Sequence, residues 1–451
     1  MAAINDWPWL HWLQRYPQAT AIDSGDETLS WQQLAERIAG QANGFRRQGV
    51  KPDGVVALRS RNSLEAVLAW LSLLACGAKV LMLNPQLPDA QLDRLLPGLG
   101  LSFALSIDAP PIPQTAQLTL AAAPGRVNHP WLRSAPATLT LTSGTTGRAK
   151  AAVHTFDAHL LSAAAVIERL DFTPRDRWLL SLPLYHVSGM GIIWRWLSAG
   201  ATLVIERSQD LSAALARSSF ASLVPTQLWR LLNQPTPPSG LRAVLLGGAA
   251  IPAELTRQAE AAGIRCWCGY GLTESASTVC VGRADGTGSV GRPLSGQALR
   301  LVNGEVWLRS ATLAKGYWLD GQLQPLTDED GWLHTGDLAH AHQGELWIDG
   351  RRDNLFFCGG EAVQPEAIER VLLAHPAVTQ AVVVPQADSE YGQRPVALVA
   401  AEIALDKLAD WAAPQLAGYQ RPVDWYSLPQ LAGEQIKPSR HRLQAWLEHR
   451  K

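Results

Sequence analysis

LTSGTTGRAK, running from Leu141 to Lys150, sets the hydroxyls of Thr142, Ser143, Thr145 and Thr146 around Gly144 and Gly147 and ends on Lys150. A strand-like run, Ala137 to Leu141, leads into it. Hydroxyls and backbone N–H groups donate to phosphate oxygens, and glycines let the backbone approach them closely. The common triphosphatase loop instead needs four residues between its first Gly and a Gly-Lys-Ser/Thr. The stretch therefore predicts phosphate binding but gives no support to a simple ATPase or kinase. An ordinary polar turn is the alternative, and the ordered series ending in a lysine argues against it.

Outward from this loop, short apolar runs alternate with helical patterns. The runs are Val55 to Leu58, Lys79 to Leu83, Trp178 to Leu182, Ala201 to Ile205 and Arg242 to Leu246. The helical patterns include Trp31 to Gln48, Ser63 to Cys76, and Phe156 to Leu170 behind a Thr155 cap. This is an α/β pattern, with crossover helices over largely parallel sheets. Asp108 to Pro130, rich in Pro and Ala, reads as a surface connection. At DGRRDN the grammar changes: Pro365 opens a helix to about Ala374, and strands follow at Val378 to Val384 and Pro395 to Ile403. We expect a large N-terminal domain, 1–350, with layered α/β sheets, and a small α+β domain, 351–451, since one hydrophobic core rarely supports 451 residues.

Composition narrows the partners. A formal net charge of −1, from 39 basic and 40 acidic residues, offers no basic stripe for nucleic acid and no polybasic membrane anchor. Small-molecule partners are expected. Five cysteines are too few and too odd for a disulfide framework, and Cys266 and Cys268 are too closely spaced for an ordinary zinc pair. The amino terminus lacks the pattern of a secretory leader, and no stretch approaches the ~20 apolar residues of a spanning helix. A soluble, unprocessed cytoplasmic protein is expected.

Further segments follow in order: PLYHVSG (Pro183 to Gly189), LGGA (Leu246 to Ala249), GYGLTES (Gly269 to Ser275), TGD (Thr335 to Asp337), GRRD (Gly350 to Asp353), CGGEAVQPEAIE (Cys358 to Glu369) and IKPSR (Ile436 to Arg440). With TSGTTGRAK they resemble the signature of the adenylate-forming superfamily, which includes acyl-coenzyme A synthetases, luciferases and peptide-synthetase adenylation domains. The resemblance spans nearly the whole chain. It implies that ATP binds at Thr142 to Gly147 and Lys150, with Thr142 among the catalytic groups. Gly271 and Thr273 would also bind the nucleotide, and Glu274 beside them would hold Mg²⁺. Tyr270 would stack on adenine against Gly247, Gly248 and Ala249, and Asp337 and Arg351 would bind the ribose. Lys437 would stabilise charge at the α-phosphate, although Ile436 stands where the family has a glycine. Asp353 would be the hinge of a mobile small domain, and Gly359 and Gly360 would leave room for the arm of coenzyme A. His186 is either a gate between the two half-reactions or a core histidine.

Arg195 stands between Trp194 and Trp196 in the apolar segment GIIWRWLSAG, and a buried guanidinium needs an anionic partner. Arg195 either snorkels to solvent, pairs with a structural carboxylate, or meets the second carboxylate of an aromatic or medium-length dicarboxylic substrate. Ser222, Ser277 and Thr278 border the acyl pocket in the resembled enzymes. The reading is an AMP-forming carboxylate–coenzyme A ligase. Its alternatives are another aryl- or acyl-coenzyme A synthetase, an enzyme loading a carrier protein, and a nucleotide-binding module without turnover.

Overall fold

The computed structural model describes residues 4–125, 129–142, 150–206, 211–234, 240–248, 251–431 and 439–450. Alternation along the buried runs explains the layering. Val56, Leu58, Val80 and Met82 face one core while Val55, Ala57, Leu81 and Leu83 face another. In a second sheet Trp178, Leu203, Phe220 and Leu245 face the first of these cores, and Leu179, Val204, Leu223 and Leu246 turn to the other side. Successive strand residues point to opposite faces, so strands covered on both sides read as continuous apolar runs. Between the two sheets lie helices Leu64–Ala75, Phe156–Leu170 and Val187–Ala199, which share the first core. Every residue of Leu64–Ala75 except Glu65 is buried, as expected of a helix with layers on both sides. Ser63 caps it by accepting from the Ala66 N–H, and Thr155 caps the next by accepting from the Ala158 N–H, each worth about 1 kcal/mol.

Among the described residues the strands form four sheets. In the largest, Arg177–Leu179, Phe220–Leu223, Ala243–Leu246 and Arg265–Tyr270 run parallel and in register. The apolar run expected from Trp178 to Leu182 ends as strand at Leu179, because the chain leaves the sheet at Ser181 to enter PLYHVSG. The sheet that holds Val55–Arg59 and Lys79–Leu83 is mixed rather than parallel throughout. Pro136–Thr142 and Lys150–Thr155 form an antiparallel pair with Thr142 opposite Lys150, and Tyr317–Leu319 adds to its edge. A third, antiparallel sheet occupies Gln297–Val302, Glu305–Ser310, Leu333–His342 and Glu345–Arg351. The fourth uses only residues 356–427, with helices Pro365–Leu373 and Leu405–Ala412 covering its core. A large N-terminal α/β body is thus followed by a smaller α+β body. The 108–125 connection carries buried anchors, Ile112, Leu118 and Ala123.

Candidate active site

The parallel strands of the largest sheet all end at one edge, where ligands of open α/β sheets bind. Gly247 and Gly248 follow strand Ala243–Leu246, and a Cβ on Gly247 would lie 3.2 Å from the Gly269 carbonyl oxygen. Gly248 has φ +81°, a conformation natural to glycine. The next strand delivers Tyr270, whose ring is buried and whose hydroxyl donates to Asp337 Oδ2 at 2.6 Å. Burial, and then the Asp337 charge, push the Tyr270 phenol well above its ordinary pKa. Arg351 donates from Nη1 to Asp337 Oδ1 at 2.9 Å and from Nη2 to Asp353 Oδ2 at 3.3 Å. Strand pairing sets Asp337 opposite Arg351. Tyr270, Asp337, Arg351 and Asp353 therefore form one chain of contacts, so the ion pair is tied to the aromatic wall and is not an isolated surface bridge.

Lys150 emerges at the far end of the phosphate stretch with its Nζ 3.7 Å from the Tyr317 ring centroid. The Tyr317 hydroxyl in turn donates to Glu274 Oε1 at 2.6 Å, and burial raises its pKa, with the Glu274 charge adding to the effect. Glu274 sits in a 3₁₀ turn, Thr273–Ser275, just beyond the half-open Gly271 segment, and its carbonyl accepts from the Ala314 N–H. Tyr317 escaped the sequence reading. It lies 43 residues from Glu274, on a three-residue strand with no motif of its own. Tyr317→Phe removes one hydrogen bond to a carboxylate, worth about 1.5 kcal/mol; with Glu274 in the magnesium role that the resemblance implies, pyrophosphate release at subsaturating magnesium should fall about tenfold. Saturating magnesium should restore it, which a magnesium titration will read. Thr142 Oγ1 lies 3.4 Å from the Lys150 carbonyl. Ser143, Gly144, Thr145, Thr146, Gly147, Ala249 and Lys437 lie outside the described residues.

Arg195 is 2% exposed on helix Val187–Ala199. Its Nη2 donates to Ser277 Oγ at 3.2 Å and Thr278 Oγ1 at 3.1 Å, and the guanidinium lies 5.1 Å from the Trp178 ring centroid. Among the described residues it forms no ion pair, and its Nε is buried without a hydrogen-bond partner. Desolvation draws its pKa down to about 9, which leaves it charged at neutral pH. The expected anionic partner is thus not a structural carboxylate of the described chain. Gly191, one turn earlier, leaves room for this cluster, since a Cβ there would lie 2.9 Å from Ser277 Oγ. Ser222 is buried on strand Phe220–Leu223, and its Oγ also has no partner among the described residues. His186, preceding the helix, is exposed by surface area, and partial desolvation of its ring lowers its pKa.

Two histidines absent from the sequence reading lie behind this cluster. His154, fully buried on strand Lys150–Thr155, accepts at Nε2 from the Ala276 N–H at 3.2 Å. His159 stacks on Trp194 with centroids 4.9 Å apart, and its Nε2 is 2.8 Å from Thr138 Oγ1. Desolvation draws His154 down to about 4 and His159 well below its ordinary 6.5. Both are neutral when folded, whereas an unfolded chain binds protons on them below pH 6.5. Stability is therefore unaffected above that pH and falls as pH drops beneath it, by about 1.4 kcal/mol per unit per histidine until the folded-state pKa is reached. Urea midpoints measured from pH 7.5 to 5 should decline accordingly, and His159→Phe should flatten the slope.

In the small body, Gly359 (φ +58°) and Gly360 (φ +87°) form a two-residue hairpin turn between Phe356–Cys358 and Glu361–Val363. Both central residues of such a turn need positive φ, so the turn alone accounts for the two glycines. Arg440, at the start of the last helix, pairs with Glu369 at 2.7 Å and Glu366 at 3.2 Å. Cys266 and Cys268 are buried core residues on strand Arg265–Tyr270, with burial raising both thiols to about 12.

Comparison with known proteins identifies the class of protein to which these residues belong. The family model of AMP-binding enzymes matches residues 9–318, and that of the AMP-binding enzyme C-terminal domain matches residues 367–433. The chain belongs to the family of AMP-binding enzymes. It is 51% identical over 448 residues to the 2-succinylbenzoate–CoA ligase of Salmonella typhimurium, covering 98% of each chain. Among solved structures, the R195K variant of E. coli MenE with bound OSB-AMS aligns with a TM-score of 0.93 at 49% identity, over 99% of each chain. The o-succinylbenzoate coenzyme A synthetase (MenE) from Bacillus subtilis in complex with ATP and magnesium ion aligns with a TM-score of 0.86 at 28% identity, over 97% of this chain and 99% of that one. No helix among the described residues is long and apolar enough to cross a membrane.

Proposed function

We propose that this chain is an ATP-dependent 2-succinylbenzoate–CoA ligase. The observation that carries the substrate is Arg195: a buried cation, bonded to two hydroxyls, with donor capacity left over and no carboxylate partner among the described residues. An aromatic dicarboxylate supplies that partner, while the Trp and Ile side chains around it cover the ring. Ser222, Ser277 and Thr278 are the further polar contacts of this pocket. The close 2-succinylbenzoate–CoA ligase relatives support the same substrate and a role in menaquinone biosynthesis.

In the first half-reaction an oxygen of the succinyl carboxylate forms a bond to the α-phosphorus of ATP, and the bond to the β-phosphate oxygen breaks, releasing pyrophosphate. In the second, the coenzyme A sulfur attacks the acyl carbon and AMP leaves, giving the thioester. Thr142, Lys150 and the intervening loop hold the phosphates. Tyr270, Gly247, Gly248 and Ala249 hold adenine, Asp337 and Arg351 the ribose, and Lys437 the charge that develops at the α-phosphate. Among the described residues no cluster of three or more His, Cys, Asp or Glu side chains forms a metal cage. Glu274, held by Tyr317, suits Mg²⁺, which is commonly bound through one or two carboxylates with waters and substrate phosphates. When bound, magnesium neutralises charge on the pyrophosphate.

Residues 1–350 form the ATP- and acyl-binding domain and 351–451 the mobile one, with Asp353 at the hinge, His186 as gate, and Gly359 and Gly360 beside the coenzyme A path. Five free, buried cysteines and substrates of the cell interior support a cytoplasmic setting, which cell fractionation will test. The deciding experiment for the activity is a pyrophosphate-release screen over aromatic mono- and dicarboxylates, with and without coenzyme A. 2-Succinylbenzoate should lead, and thioester should form only with coenzyme A. A preferred monocarboxylate, or transfer only to a carrier-protein thiol, would overturn the proposal.

A further inference from the structure

The two hydroxyls that face Arg195 sit on an unusual corner. Ala276 has φ +57° and Ser277 φ +140°, although neither is glycine. Side chains avoid both regions, and such a corner persists only where its surroundings over-determine it. Two contacts do so here. A Cβ on Gly271 would lie 1.8 Å from the Ser277 carbonyl oxygen, so the strand end passes directly against the corner. On the other side the buried His154 ring accepts from the Ala276 N–H, the one backbone donor at the start of the corner. The ring is also hydrogen-bonded to the Glu274 and Thr273 backbone, on the same turn, and its Nδ1 has no partner among the described residues. That ring also lies 5.2 Å from His159, which in turn stacks on Trp194, the neighbour of Arg195 in the chain.

We infer that His154 is a positioning residue for substrate selection: by holding the Ala276 amide it fixes the Ser277–Thr278 corner and so aims both hydroxyls at Arg195. The strand explains why one residue can do this. Lys150 and His154 are four apart on strand Lys150–Thr155 and so share a face. Lys150 meets Tyr317 over Glu274, and His154 meets Ala276 two residues further along the same turn. One strand face therefore sets the acyl-carboxylate clamp at a fixed distance from the phosphate end. The inference rests on the proposed role of Arg195.

The test uses the full-length enzyme, with 2-succinylbenzoate compared against the analogue lacking the ring carboxylate. His154→Phe keeps the ring volume and loses the acceptor; misplacing a binding group by a fraction of an ångström should raise KM for the dicarboxylate about tenfold. KM for ATP and kcat/KM for the monocarboxylate should stay within about twofold. His154→Gln, which can place an oxygen near the Nε2 position, should recover most of the loss. His154→Asn, whose acceptor is too short, should not, and this pair carries the test if the phenylalanine variant fails to fold. Equal losses for both acids, or equal behaviour of Gln and Asn, would overturn the positioning role. Arg195→Ala in parallel separates the two ideas. If it leaves dicarboxylate preference intact, the substrate reading fails; if it abolishes preference while the histidine variants do not, only the present inference fails.

Discussion

Arg195→Ala should raise KM for 2-succinylbenzoate by roughly 10- to 150-fold, the equivalent of about 1.5–3 kcal/mol for a charge-assisted hydrogen bond. KM for ATP should hardly move. The size of the effect follows from the surroundings of the guanidinium. It is shielded from water, its face lies over Trp178, and its bonds to Ser277 and Thr278 are to neutral groups that leave its charge uncompensated. A substrate carboxylate entering there meets a cation whose desolvation has already taken place on folding. Steady-state kinetics on the matched mono- and dicarboxylate acids reads the difference. Should the monocarboxylate suffer equally, Arg195 serves packing and not recognition.

Lys437→Ala should lower pyrophosphate release by about 10²-fold or more, in the range seen when a preorganised donor to developing charge is lost. A supplied acyl-adenylate should still be converted to thioester at near wild-type rate, because in the proposed second orientation a different face of the small domain meets the site. Single-turnover assays of the two halves separate these outcomes, and parallel loss of both would count against a small domain that serves each step in a different orientation. Enlarging Gly359 or Gly360 is a weaker probe of that rotation. Their positive φ makes any side chain strained at both positions whether or not coenzyme A passes.

Much of the fold was legible because its signals are local. Lys79 to Leu83 is a buried strand, Phe156 to Leu170 is a helix with Thr155 as its cap, and Pro365 opens a helix, all as periodicity and capping chemistry imply. The third sheet was not legible. Leu299, Trp307 and His334 belong to strands of mixed burial pattern, and their pairing depends on contacts that no single window contains. The site divides in the same way. Arg195 stands out because a charge between two tryptophans on an apolar helix violates the local pattern. Tyr317 and His154 look like ordinary strand residues, and they acquire meaning only from Glu274 and Ala276, 43 and 122 residues away. The sign of φ at Ser277 leaves no trace in composition at all.

Arg351 divides one guanidinium between Asp337, the proposed ribose ligand, and Asp353, the proposed hinge. A ribose hydroxyl that takes up Asp337 competes with Arg351 for the same carboxylate, and whatever hold Arg351 loses there alters its grip on Asp353. With those two proposed roles, nucleotide occupancy and domain orientation become linked through one side chain. By thermodynamic reciprocity, the factor by which bound nucleotide favours one orientation equals the factor by which that orientation tightens the nucleotide.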